Sequence, residues 1–180
     1  MAFGSNIPWD KYGLIVELAK RLEGISPQFG KTALQKLVFL LGAVYQVPCQ
    51  YEYQLYTYGP YCAELAADVE YVAAMGGVKL WQVNSGYAIK PAENAQWIKE
   101  KADDFFHRYD RQLDQLITKF GTYNARELEL RSTLIYLAQC EELTEMKLLH
   151  QLIDLKPYFV QTEVLTAIQD LAGQGFIHLL

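Results

Sequence analysis

Cysteine, histidine and surplus positive charge are all scarce in this 180-residue chain. Its three cysteines (Cys49, Cys62, Cys140) are odd in number, far apart and outside any CxxC or Cys/His spacing. That excludes a disulfide frame or a zinc site and predicts reduced thiols. Only His107, His150 and His178 exist, and none lies in a motif that would supply a catalytic base with an orienting partner. Lys plus Arg number 16 against 21 Asp plus Glu, a net charge of −5, which works against wholesale contact with a phosphate backbone. No apolar run reaches the roughly 18 residues of a membrane span. Residues 1–13 lack the basic flank and apolar stretch of a secretory signal. A soluble, cytoplasmic chain is the expectation.

At 51% hydrophobic and 21% charged, the composition supports a packed core and not a disordered chain. The charge is unevenly placed. Residues 1–60 carry five basic and four acidic groups, whereas 121–180 carry four and eight.

Periodicity divides the chain into elements. Leu14, Ile15, Leu18 and Leu22 form one face of a helix over 10–23. A second helix over 32–45, with Thr32 as its N-cap, has no charge after Lys36 and is predicted to be buried at the centre. Residues 51–58 alternate and read as a strand, and Gly59-Pro60 opens a third helix to residue 75. A hairpin follows, 78–83 and 87–89 around the turn Asn84-Ser85-Gly86. Two helices, a strand, a helix and a hairpin is the order of a winged helix.

Residues 93–120 repeat apolar positions at helical spacing from Ile98 to Phe120. They predict one helix about 42 Å long that bridges two halves or forms a homodimer seam. Helices over 124–140, 144–153 and 162–173, N-capped by Asn124, Thr144 and Thr162, and a strand over 176–180 complete the chain. Pro157-Tyr158 and the residues after it echo Pro60-Tyr61 and its helix, as a degenerate second helix-turn-helix would. The predicted architecture is mainly α with small β. A winged-helix-like domain spans 1–91, a bridging helix 92–120 and a helical C-terminal domain 121–180.

Candidate chemistry is sparse. Residues 24–32 end in Gly30-Lys31-Thr32 like a phosphate-binding loop. The glycines have the wrong spacing, Pro27 and Phe29 intervene, and a helix instead of a strand precedes them. Cys62 in the first turn of a helix has no base to activate it. Asp103-Asp104 and Glu141-Glu142 read as solvated faces. No catalytic residue, metal ligand or cofactor is assigned. The third helix offers Glu64, Asp68 and Glu70 and no Lys or Arg, and the last predicted helix offers Glu163 and Asp170 and no base. Readout of DNA by either is disfavoured, because Arg or Lys to guanine is the commonest specific contact. A winged-helix transcriptional regulator remains the alternative, through the hairpin or a patch of Lys11, Lys20, Arg21, Lys31 and Lys36.

Most conspicuous are Tyr51, Tyr53, Tyr56, Tyr58 and Tyr61 within eleven residues. Alternation places Tyr51, Tyr53 and Leu55 on one face and Tyr56 and Tyr58 on the other. One set packs in the core; the other is either filler or an aromatic surface that anchors a protein partner.

The stretch Lys31-Thr32-Ala33-Leu34-Gln35-Lys36-Leu37, followed by Tyr58-Gly59-Pro60-Tyr61 and Glu64-Leu65, resembles the YwgA-type family of uncharacterised prokaryotic proteins. Leu128-Glu129-Leu130-Arg131 and Lys156-Pro157 extend that resemblance over nearly the whole chain. The first 90 or so residues more distantly resemble the Panacea domain of antitoxins and phage-associated proteins. Cys62 departs from the small hydroxyl residue common at its position, which counts further against a catalytic cysteine. The resemblance implies a non-enzymatic regulatory protein that binds a protein partner, antitoxin-like or associated with phage defence. Gln35 and Lys36 on the helix flank, with Tyr56, Tyr58, Gly59, Pro60 and Tyr61 at the strand–helix junction, are the candidate partner-binding residues. They would fix the local geometry or meet the partner.

Overall fold

Where helix periodicity is strongest the chain forms helices, and where glycines and tyrosines interrupt it two short hairpins appear. The computed structural model describes residues 6–84 and 86–180. The sequence reading of residues 1–5 and of Ser85 in the wing turn lies outside them. The fold is mainly α, 60% helix and 10% strand, with two small antiparallel sheets.

Helix α1 (Trp9–Leu22) and helix α2 (Lys31–Tyr45) come first. A hairpin of β1 (Gln54–Tyr56) and β2 (Gly59–Tyr61) then leads into α3 (Ala63–Ala74). Strands β3 (Val78–Val83) and β4 (Gly86–Pro91) make the wing, pairing Val78 with Pro91 through Val83 with Gly86. The element order read from the sequence recurs, with a hairpin in place of the single strand before the third helix. The rest is helical: α4 (Ala95–Glu100), α5 (Asp103–Phe120), α6 (Ala125–Cys140), α7 (Glu145–Leu155) and α8 (Gln161–Gly173).

Helix α2 is the central element, as its uncharged second half predicts. Leu34, Leu37, Val38, Leu40 and Leu41 are all buried, and the helix packs against α5 on one side and α6 on another. One cluster of buried side chains runs from Leu14 to Ile177, so both ends of the chain share it. Arg21, bonded to Glu17 of its own helix (2.7 Å), ties α1 to α5 through Asp114 (2.6 Å) and Asp110, and Lys99 of α4 bonds Glu17 at 2.9 Å.

Several sequence expectations are corrected. Residues 51–58 are not one strand running into a helix at Pro60. The chain reverses at Gly59 (φ +91°), Pro60 lies in β2, and α3 starts only after Cys62, whose sulfur accepts from Leu65 N–H at 3.5 Å. Gly30, not Thr32, is the N-cap of α2, because the wing backbone covers it. A Cβ there would lie 2.0 Å from the Tyr87 carbonyl oxygen.

The 93–120 helix is two helices broken at Lys101 and Ala102. Helix α4 lies along α1, where Ala102 approaches Gly13 so closely that a Cβ on the glycine would be 2.6 Å away; α5 turns off onto α2. The expected apolar stripe (Ile98, Phe105, Leu113, Leu116, Phe120) is buried inside the chain, so that face is not presented to a second copy. Asn124 and Thr144 do cap α6 and α7, but α8 starts a residue before Thr162, with Val160 at the cap. Residues 176–180 form no strand: Leu180 N–H bonds the Leu143 carbonyl at 3.0 Å, and Phe176 packs its ring on Phe120 and Tyr45. The echoed Pro-Tyr pairs differ too, one in β2 and the other in a turn after α7.

Candidate functional site

The β1–β2 hairpin is held from beneath by side chains that a helix would ordinarily send to solvent. Gln35 on α2 pairs with both backbone groups of Cys62, its amide donating to the carbonyl at 2.8 Å and its oxygen accepting from the N–H at 2.9 Å. It thus satisfies both backbone groups of the residue between β2 and α3. Next to it Lys36, only 2% exposed, donates from Nζ to the Pro60 carbonyl at 2.7 Å. The far side is gripped from the C-terminal half. Lys156, which follows α7, donates to the Thr57 carbonyl at 2.7 Å and to Glu129 of α6 at 2.6 Å, and the Tyr158 hydroxyl also donates to Glu129. Gly59 must be glycine on two counts: its φ is positive, and a Cβ would lie 2.8 Å from Thr133 Oγ1 on α6.

This clamp holds two lysines and one carboxylate in the interior. Burial is the main reason the Lys36 ammonium is depressed from 10.5 to about 8; the Lys156 charge adds to the effect and Glu129 opposes it. Burial and the hydrogen bond to Glu129 push the Tyr158 phenol well above its ordinary range.

On the outer side of the hairpin Tyr56 (68% exposed), Tyr58 (63%) and Tyr61 (37%) face solvent, with the Tyr56 and Tyr61 rings 5.6 Å apart. Together with Leu34, Ala66 and Val69 they enclose a groove of about 540 Å³ between α2, α3 and the hairpin. Lys31 and Glu70, paired at 2.6 Å, close one rim. A second cleft of about 790 Å³ adjoins it through Lys31, Thr32 and Tyr58 and runs between the wing tip and the start of α6. There Tyr87 lies under the Lys31 ammonium (4.1 Å to the ring centre), and Arg126 is paired with Glu163.

Of the residues named from the sequence, Tyr56, Tyr58, Gly59 and Tyr61 come together at the groove. Gln35, Lys36 and Pro60 are brought to the same place from the inside, where they fix the hairpin, and Gln35 and Lys36 form part of the groove floor. As alternation predicts, Tyr51 and Tyr53 point the other way. Tyr51 donates to Asp68 at 2.7 Å, and Tyr53 packs on Phe39. Glu129, Lys156 and Tyr158 join this site from the C-terminal half, and sequence reasoning misses them as site residues. The signal for Glu129 is a carboxylate set between Leu128 and Leu130 on the helix face that also carries the buried Ser132 and Thr133.

The remaining candidates have ordinary structural roles. Cys49 is buried, which pushes its thiol up to about 12, a value that suppresses thiolate chemistry. Cys62 caps α3. Among the described residues no group of three or more His, Cys, Asp or Glu is placed to hold a metal ion, and no helix is long and apolar enough to cross a membrane. Two acids of α3 are matched by lysines, Glu64 by Lys11 (2.5 Å) and Glu70 by Lys31. The third, Asp68, is buried, and burial raises its carboxyl despite the hydrogen bond from Tyr51. No known protein-family model matches the chain, and no curated protein matches it significantly.

Proposed function

We propose that the chain is a non-enzymatic regulatory protein whose work is to bind a protein partner, with the tyrosine-lined groove as its docking surface. The observation that carries this is the exposure of Tyr56, Tyr58 and Tyr61 on a hairpin made rigid by Gln35, Lys36 and Lys156. Tyrosine buries a large area while losing few rotamers, and a preset hairpin lowers the ordering cost of association. The resemblance to YwgA-type proteins and to Panacea antitoxins supports the same reading and points to a toxin or phage-defence component as the partner, in a prokaryotic cytoplasm. The alternative, a DNA-binding regulator that uses the hairpin or the lysine patch instead of α3, is less well supported, because Lys11, Arg21 and Lys31 of that patch are held in ion pairs with carboxylates and Lys36 is buried.

The test is affinity capture from native lysate with the wild-type chain and with Tyr58→Ala and Tyr61→Ala. Both variants are expected to keep wild-type stability within about 0.5 kcal/mol and to lose the captured partner. A partner retained equally by all three chains would place docking elsewhere; capture of none would count against the reading as a whole.

A further inference from the structure

We propose that the groove receives an acidic, partly apolar segment of the partner protein, its carboxylate answering the positive charge of Lys31 and Lys36 and its apolar side chains resting on Leu34, Val69 and Tyr61. This rests on the groove being the docking site and names what occupies it.

Charge complementarity carries the choice of occupant. Over the chain the net charge is −5, yet the groove is lined by two lysines and a single carboxylate, Glu70. Glu70 is already held by Lys31 at 2.6 Å. Beneath the lining, the buried carboxylate of Glu129 is engaged by Lys156 and by the Tyr158 hydroxyl, so among the described residues Lys36 bonds no carboxylate and has the Pro60 carbonyl as its hydrogen-bond partner. The groove is therefore a locally positive site on an acidic protein, and the surplus charge lies under a low-dielectric aromatic layer, where solvent screens it least. Basic segments are repelled from the same place. A nucleic-acid strand needs a row of cations along its phosphates, and the groove lining offers two lysines, one of them already paired with Glu70. The volume of about 540 Å³ falls inside the range of roughly 300–1,000 Å³ found for ligand pockets, enough for a few side chains of an extended segment.

The charged and titratable groups around Lys36 come from every packed element: Glu129 from α6, Lys156 and Tyr158 after α7, Tyr56 and Tyr58 from the hairpin, Glu70 from α3 and Lys31 from α2 itself. Burial brings the Lys36 ammonium to about 8, so its charge is present at neutral pH and is lost in mildly alkaline solution. Attraction for a carboxylate should fade over the same interval.

The experiment uses the full chain and three fluorescent peptides, identical in their leucine and phenylalanine anchors and differing only in central residues that are aspartate, asparagine or lysine, read by anisotropy at low salt. The aspartate peptide is expected to bind about tenfold more tightly than the asparagine peptide, with the lysine peptide weakest. Its affinity should fall several-fold between pH about 7 and about 9. Lys36→Met should remove that pH dependence. Should Lys36→Met fail to fold, Lys31→Gln at the solvent rim carries the test, with an expected loss of most of the aspartate preference. Equal affinity for the three peptides, preference for lysine, no binding of any up to about 1 mM, or tighter binding of single-stranded DNA would overturn the proposal. If the peptides are indifferent to charge while Tyr58→Ala still abolishes partner capture, the acidic occupant is wrong and the docking groove stands. If Tyr58→Ala changes neither measurement, the docking groove itself fails.

Discussion

Lys36 is the residue where local pattern and tertiary environment disagree most. On a helix wheel it is the last charge before an uninterrupted apolar run; in the fold it is among the most deeply buried side chains. Its aliphatic stem packs in the core, and its ammonium finds a backbone carbonyl instead of water. The energetic consequence has a definite sign. The folded state releases the Lys36 proton near pH 8 and the unfolded state near 10.5, so between those values the unfolded chain binds more protons and stability rises with pH. Below about 8 both states are protonated and Lys36 contributes no slope. The expected outcome is a difference in unfolding free energy between wild type and Lys36→Met that moves by up to about 1 kcal/mol per pH unit above pH 8. Urea titrations at a series of pH values check this. Taking the difference removes the contributions of buried groups common to both chains, Cys49 and Tyr51 among them. A difference that stays flat to pH 10 would mean that Lys36 is already neutral, or not buried, in the native state.

At the scale of elements, helix ends distinguish what side chains specify from what neighbours impose. Asn124 makes a reciprocal capping box with Glu127, its side chain accepting from Glu127 N–H at 2.9 Å while Glu127 accepts from Asn124 N–H at 2.8 Å. Both donors are local, so the sequence suffices to find the start of α6. Thr162 has the right chemistry for a cap but lies inside the first turn of α8, because the chain after Lys156 is committed to the turn that presents Tyr158 to Glu129. Asn124→Ala should therefore cost about 1 kcal/mol. Thr162→Ala should change stability by less than about 0.5 kcal/mol. Paired denaturant melts read both, and equal losses would contradict the observed cap positions. The same contrast explains the break between α4 and α5. Its apolar spacing is unbroken, yet the chain turns where Ala102 packs closely on Gly13 of α1.

For the whole molecule, the bond from Lys156 to the hairpin and its ion pair with Glu129 couple the C-terminal helices to the N-terminal elements. Removing one partner of a buried ion pair leaves an uncompensated charge, typically at a cost of about 3–5 kcal/mol. Glu129→Gln is expected to lower stability by an amount of this order, since it leaves Lys36 and Lys156 buried together without a carboxylate. It should also release the hairpin, seen as increased amide exchange at residues 54–61 ahead of global unfolding. Loss of stability with unchanged exchange at the hairpin would mean that the cluster supports the core but does not position the tyrosines.

Much of the architecture was legible because it depends on local periodicity. The apolar faces of α1, α2 and α3, the wing hairpin, the caps at Asn124 and Thr144 and the outward facing of Tyr56 and Tyr58 follow from spacing and turn chemistry within a few residues. The low basic content of α3 is equally a property of the sequence alone. Tertiary structure decided what long-range contacts decide: that Gly59 turns the chain because α6 leaves no room for a Cβ, that the 93–120 stripe is consumed inside the molecule, and that Lys36 and Lys156, 120 positions apart in the numbering, meet around one carboxylate. No local rule predicts a charge in the interior. Its position there follows from the partners that distant parts of the chain bring to it.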